Sequence, residues 1–221
     1  QVAADMQSAM RVQLRTNRGF EETNYLPWLK LDEDNLNQED FITSELNLVN
    51  MGSVGIIETM DDATVTVTPL FQTSTESMKM ASALLEFQRD PGDMLSDFES
   101  DNTAYTLAAR LEGTVSTAFP DGIPDADENH PFDEQYTPPE TPLTEGELNV
   151  ILVADTDILN DEFWISQQNF FGVQIPQPIA DNGNFVVNSL EHMSGSSDLI
   201  SLRNRGEYQR PFDVVNDIKR N

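Results

Sequence analysis

Two carboxylates, Asp155 and Asp157, flank Thr156 directly behind the most apolar run of the chain, Leu148-Asn149-Val150-Ile151-Leu152-Val153-Ala154. Acids at the carboxyl end of a strand stand where open α/β sheets place their ligand sites. Two such groups hold Mg²⁺, or one of them acts as a nucleophile. A metal-dependent hydrolase or phosphatase using Asp155 and Asp157 is therefore one function to test. The architectural alternative gives the same residues plainer work: Asp157 caps the next helix and Asp155 accepts loop amides.

The phosphotransferase chemistry asks for more than the pair. The haloacid-dehalogenase pattern places Thr or Val two residues after the second aspartate, where Leu159 stands. It also needs a downstream lysine, and Lys219 is the one left. Asp125-Ala126-Asp127-Glu128-Asn129 opens like a calcium loop, but His130 and Tyr136 occupy the positions that require Gly and Glu. His130 and His192 are isolated, and no G-x-S-x-G elbow accompanies them. No G-x-x-x-x-G-K-[ST] or G-x-G-x-x-G string is present, which removes nucleotide binding by those loops. Tyr25 and Trp28 offer an aromatic platform on which a sugar would stack, so a glycan-binding module is a third function. Arg203 and Arg205, followed by Arg210, form the one basic cluster, suited to an anion or to local salt bridges.

Composition narrows the classes. The 221 residues hold 39 acids against 12 bases, a net charge of −27 that is incompatible with neutralising nucleic-acid phosphates. Cysteine is absent, which excludes disulfides, thiolate metal sites and cysteine nucleophiles. Two histidines cannot build a three-histidine zinc site. No cofactor is expected. Many acids with three lysines is the surface chemistry of proteins from salty surroundings, where self-repulsion is screened. A cation-binding or basic-partner surface is the sharper alternative. No apolar run approaches a membrane-spanning length.

The elements that would position these residues follow from periodicity. Residues 5–14 space Met6, Met10 and Leu14 four apart and predict an amphipathic helix. Residues 17–22 are polar and predict a loop, and Tyr25-Leu26-Pro27-Trp28-Leu29 a turn or short extended piece. A short helix is expected from Thr43, carrying Leu46, Leu48 and Val49 and stopping near Gly52. Residues 64–70 alternate as a strand broken by Pro69. Residues 78–87 are ambiguous. Asp90-Pro91 opens a short helix, and residues 105–115 form a long strand with a bulge at Gly113. Residues 119–147 hold six prolines, nine acids and no lysine or arginine, which marks an exposed acidic insertion between two strands that lie side by side in one sheet. Residues 148–154 predict a strand buried on both faces of a parallel sheet. Helices are expected over 185–193 and 211–219, with a short extended piece at 199–202. Strands alternating with helices imply α/β layers.

Several separated stretches together carry a family resemblance. They are Tyr25-Leu26-Pro27-Trp28-Leu29, Asp40-Phe41-Ile42-Thr43-Ser44-Glu45-Leu46, Asn50-Met51-Gly52-Ser53-Val54-Gly55, Asp155-Thr156-Asp157 through Phe163-Trp164, Asn182-Gly183-Asn184-Phe185-Val186-Val187-Asn188-Ser189-Leu190, Asp198 to Arg203, and Arg210-Pro211-Phe212-Asp213. The chain resembles the GldG-like auxiliary component of ABC-type transport systems linked to gliding motility. That resemblance implies a three-layer, flavodoxin-like or Rossmann-like α/β fold with a mostly parallel sheet, here in partial or truncated form. It implies one extracytoplasmic (periplasmic) region, 1–221, of a longer membrane protein whose membrane helices lie outside this chain. Its partners would be the ABC permease and ATPase subunits, with a small-molecule or glycan ligand an open addition. It implies no catalytic residues and no metal; the ligand-binding candidates are Asp155, Asp157, Arg203 and Arg205.

Overall fold

The computed structural model describes residues 1–16, 19–86, 90–120, 143–170 and 172–195. The chain opens with β1 (Val2–Asp5), β2 (Ala9–Thr16) and the long β3 (Gly19–Asp32), followed by a 3-10 turn at Glu33–Asn35 and β4 (Leu48–Gly52). It continues through β5 (Thr66–Gln72), β6 (Ser77–Met80), α1 (Ala83–Glu86), α2 (Pro91–Ser96) and β7 (Thr106–Ser116). The last part holds β8 (Glu145–Val153), α3 (Asp161–Trp164), the β9 (Ile165–Phe170) and β10 (Val173–Pro178) hairpin, and α4 (Asn182–Met193).

Every strand pairing among the described residues is antiparallel, in sheets ordered β1-β6, β9-β10, β2-β3-β4 and β5-β7-β8. This overturns the parallel, flavodoxin-like or Rossmann-like layering expected from the sequence. The apolar segment 148–154 is not an interior parallel strand. As β8 it runs against β7 from Ala108↔Val153 to Ser116↔Glu145, at the margin of its three-stranded sheet. Ile151 and Val153 pack on the core while Leu152, between them, is 41% exposed. An unbroken apolar run is equally compatible with a strand whose outer face is only partly covered, so it does not fix strand direction. The expected adjacency across the insertion is present, since β7 and β8 are direct partners. Residues 145–147 belong to β8, and 121–142 lie outside the described residues.

Other expectations shift for local reasons. Residues 5–14 form the end of β1, a bend and β2, not a helix. A spacing of four at Met6, Met10 and Leu14 is also a multiple of two, and Met10, Val12 and Leu14 share one face of the strand. The buried Asp5 carboxylate accepts the amides of Gln7 (2.9 Å) and Ser8 (3.1 Å), which turns the chain before β2 begins. The polar piece 19–22 is the start of β3. The segment after Thr43 makes a turn around Asp40 and then enters β4, without a helix. Gly113 pairs in register with Leu148 and is not bulged; its φ of +138° is the feature that calls for glycine. Pro69 sits inside β5, on the side strand of its sheet, with the register shift beside it. Asp90 caps α2, whose first residue is Pro91, as expected. The expected elements at 199–202 and 211–219 fall outside the described residues.

The larger core joins the β3–β4 and β5–β7 faces through Leu29, Leu31, Val49, Met51, Leu70, Phe71 and Leu107. Phe185 of α4 enters it against Phe71, ring centroids 4.5 Å apart. A smaller cluster lies under α2, where Met94 meets Ala4, Leu26 and Met80. Phe185→Ala removes the ring that ties α4 to the sheets. It is expected to lower unfolding free energy by about 3–5 kcal/mol, measured by urea denaturation followed by circular dichroism.

Candidate functional site

The site is built on β4. In its pairing with β3, Leu31↔Val49 and Leu29↔Met51 alternate with Asp32↔Leu48, Lys30↔Asn50 and Trp28↔Gly52. Antiparallel ladders turn the backbone of alternate residues outward. The outward set on β4 is Leu48, Asn50 and Gly52, and among the described residues no further strand pairs with that edge. Side chains from distant parts of the chain take the strand's place. Asp181 Oδ2 accepts the amides of Asn47 (2.9 Å) and Leu48 (3.3 Å), and the Asp181 amide donates to Leu48 O at 2.7 Å. The Asn182 carboxamide mimics a peptide unit: its oxygen accepts from Asn50 N (3.1 Å) and its nitrogen donates to Asn50 O (2.7 Å) and Ile158 O (2.8 Å). Asp155 Oδ2 accepts the amide of Gly52 at 3.1 Å.

Asp155 is therefore engaged through both oxygens, because its Oδ1 also accepts the Asp157 amide at 2.7 Å. Its position follows from β8, which delivers Ala154 to an exchange with the 55 region: Gly55 N donates to Ala154 O (2.7 Å) and Ala154 N to Leu107 O (3.0 Å). Burial pushes the Asp155 carboxyl above its ordinary range. The amides of Asp157 and Gly52 pull it back, and the nearby Asp157 charge adds to the rise. Asp157 itself is exposed, and it does not cap α3. Asn160 does, accepting the Glu162 amide at 3.1 Å.

Phe163 lies across the same strand. Its carbonyl accepts from Asn50 Nδ2 at 2.6 Å, and its ring covers Gly52 so closely that a Cβ there would run into it. Trp28, opposite Gly52, meets that ring edge-on at 5.4 Å and Tyr25 at 5.3 Å. The aromatic pair expected as a sugar platform is thus a half-buried cluster packed over β4. Trp164 does the equivalent on α4, where a Cβ at Gly183 would stand 2.8 Å from the indole.

The structure brings Asp155 and Asp157 together, and places Arg203, Arg205, His130 and the 125–129 loop outside the described residues. His192 packs against Phe41, ring centroids 4.6 Å apart. Among the described residues no three His, Cys, Asp or Glu side chains are grouped as metal donors. The strongly shifted group elsewhere, Tyr105, is pushed up to about 12 by its hydrogen bond to Asp101 on an exposed surface beside Lys79. Sequence reasoning missed Asn50, Asp181 and Asn182. Their signal is present only as Asp-Asn ahead of a helix, which reads as a cap.

The raised Asp155 pKa has a definite sign. The native state binds this proton more strongly than the unfolded chain does. Protonated Asp155 therefore favours folding, and that contribution is lost as pH rises through the folded pKa. Wild type is expected to lose stability relative to Asp155→Asn as pH climbs from about 4, on top of a constant offset from the amide that Asn leaves unpaired. Urea midpoints for the two proteins across a pH series measure this.

No curated protein and no solved structure matches the chain. A protein family described as an ABC-type uncharacterized transport system matches residues 1–189, a span that contains β4, Asp155, Asp181 and Asn182. The chain belongs to that family, the auxiliary component of ABC-type transport systems.

Proposed function

We propose that this chain is a non-catalytic, extracytoplasmic domain of the auxiliary subunit, of the GldG-like, gliding-motility-linked kind, and that it acts by partner or ligand binding within a complex that includes the permease and ATPase subunits of its transport system. The family supports a role beside a transporter. The observation that carries the non-catalytic part is Asp155. The acid best placed for chemistry spends both oxygens on the backbone amides of Gly52 and Asp157. A carboxylate held this way closes a sheet margin and is poorly disposed to attack a substrate. Among the described residues no helix is long and apolar enough to cross a membrane.

Residues 1–221 contain no cysteine, so an introduced one is the single thiol of this span, read against the unsubstituted protein as background. Met60→Cys, at a site 73% exposed, is placed in the protein as its own cells make it. Spheroplasts treated with a membrane-impermeant maleimide should label it without lysis, and affinity purification should bring down the permease and ATPase. Labelling only after lysis, or purification without either subunit, contradicts the proposal. So does phosphatase or hydrolase turnover that disappears in Asp155→Asn.

A further inference from the structure

Residues 165–179, Ile-Ser-Gln-Gln-Asn-Phe-Phe-Gly-Val-Gln-Ile-Pro-Gln-Pro-Ile, contain no charged side chain in a protein of net charge −27. This stretch contains β9 and β10, which pair as a hairpin, and β10 is exposed along its whole length. Val173 is 62%, Ile175 48% and Ile179 51% exposed. An isolated two-stranded hairpin is marginal in water, so this one gains from cover. The hairpin rises from α3, whose first turn carries the exposed Asp161 and Glu162, with Asp157 a few residues earlier. A neutral, aliphatic finger thus stands on an acidic collar.

Its backbone says how it is not used. Phe170 pairs with Val173 across a two-residue connection, and Ile179 N donates to Trp164 O at 2.8 Å. The hydrogen-bonded pairs are then Gln168↔Ile175 and Ser166↔Gln177, and the amide positions of residues 174, 176 and 178 face outward. Two of those three are Pro176 and Pro178, which have no N–H to give. β10 therefore offers one amide, that of Gln174, to another strand along that edge, and an occupant lying against β10 contacts mainly side chains.

The side chains select among occupants. On β10, Gln174 stands between Val173 and Ile175 and Gln177 between two prolines, and on β9 Gln167, Gln168 and Asn169 run consecutively. In the hydrocarbon of a bilayer these amides would go unpaired, while a protein surface can satisfy them. The acidic collar repels an anionic leaflet, and it repels its own copy in a second molecule. Depletion of charge around exposed aliphatic residues is the composition of an interface centre, with the collar as its rim.

We infer that the β9–β10 hairpin is the docking element of this domain, and that it inserts into a neutral, aliphatic groove bordered by Lys and Arg on a partner protein. Resting on the transport role proposed above, that partner is the permease subunit. The test uses cysteine variants carrying a benzophenone at Gln174→Cys on the hairpin and at Met60→Cys as a remote control, irradiated in cells with a tagged permease. Gln174→Cys is expected to crosslink to the permease. Adding Val173→Asp and Ile175→Asp, both at exposed positions, should reduce that crosslink about tenfold or more while leaving thermal unfolding unchanged. Asp161→Lys with Glu162→Lys should weaken it and flatten its dependence on salt.

Crosslinks to the permease from Met60→Cys alone overturn the hairpin assignment and leave the transport role standing. Crosslinks from neither site, together with failure to co-purify the permease, overturn both. Hairpin crosslinks only to lipid or to a second copy of the chain overturn the inference. An unchanged permease crosslink after Val173→Asp and Ile175→Asp does the same.

Discussion

The exposed margin of a β-sheet carries backbone donors and acceptors that must be satisfied, by another strand, by water or by side chains. Here β4 lies at such a margin, and its other face is buried through Val49 and Met51. Water has little access to it. The amides of Leu48, Asn50 and Gly52 are instead taken by Asp181, Asn182 and Asp155, which lie more than 100 residues away along the chain. Each stranded group would cost about 1–3 kcal/mol, so together they set a demand that the rest of this region meets. The demand explains why α4 begins where it does, and why its N-terminal aspartate gives no side-chain cap to its own helix. It explains why glycine stands at position 52 under the Phe163 ring.

The same use of acids recurs elsewhere. Asp5 is fully buried, and its carboxylate is fed by the amides of Gln7, Ser8 and Ser74 and by the Ser74 hydroxyl. Asp40, almost as buried, accepts the Ile42 amide and is paired with Arg110 at 2.8 Å. In a protein of net charge −27, Asp5 and Asp40, the acids buried among the described residues, are matched to donors, and the exposed acids keep the surface hydrated and mutually repelling. The β9–β10 hairpin departs from that surface by carrying no charge at all.

What the sequence made legible follows from which forces leave a periodic trace. Strands at 64–70, 105–115 and 148–154, and the adjacency of the last two, came from β-branched and apolar runs flanking a proline-rich acidic stretch. Strand direction left no such trace, and a run read as doubly buried is a partly exposed margin strand. Helix α4 was expected from Phe185, yet its buried face also includes Asn182, Asn188 and Ser189. Polar residues at core positions hide a helix start from any count of apolar spacing. The candidate site was half legible: Asp155 and Asp157 were found at a strand end, while Asn50, Asp181 and Asn182 gain their meaning only from a fold that brings them to β4. Family membership makes this architecture part of an ABC-type transport system.

Asp155 is the hydrogen-bond partner of a buried strand margin. Native-state hydrogen exchange of the Gly52 amide tests it most directly. Slow exchange is expected at Leu48, Asn50 and Gly52 in the wild type, with selective loss of protection at Gly52 in Asp155→Ala while Leu48 and Asn50 stay protected. Rapid exchange of Gly52 in the wild type, or protection there that is indifferent to the removal of Asp155, would contradict it.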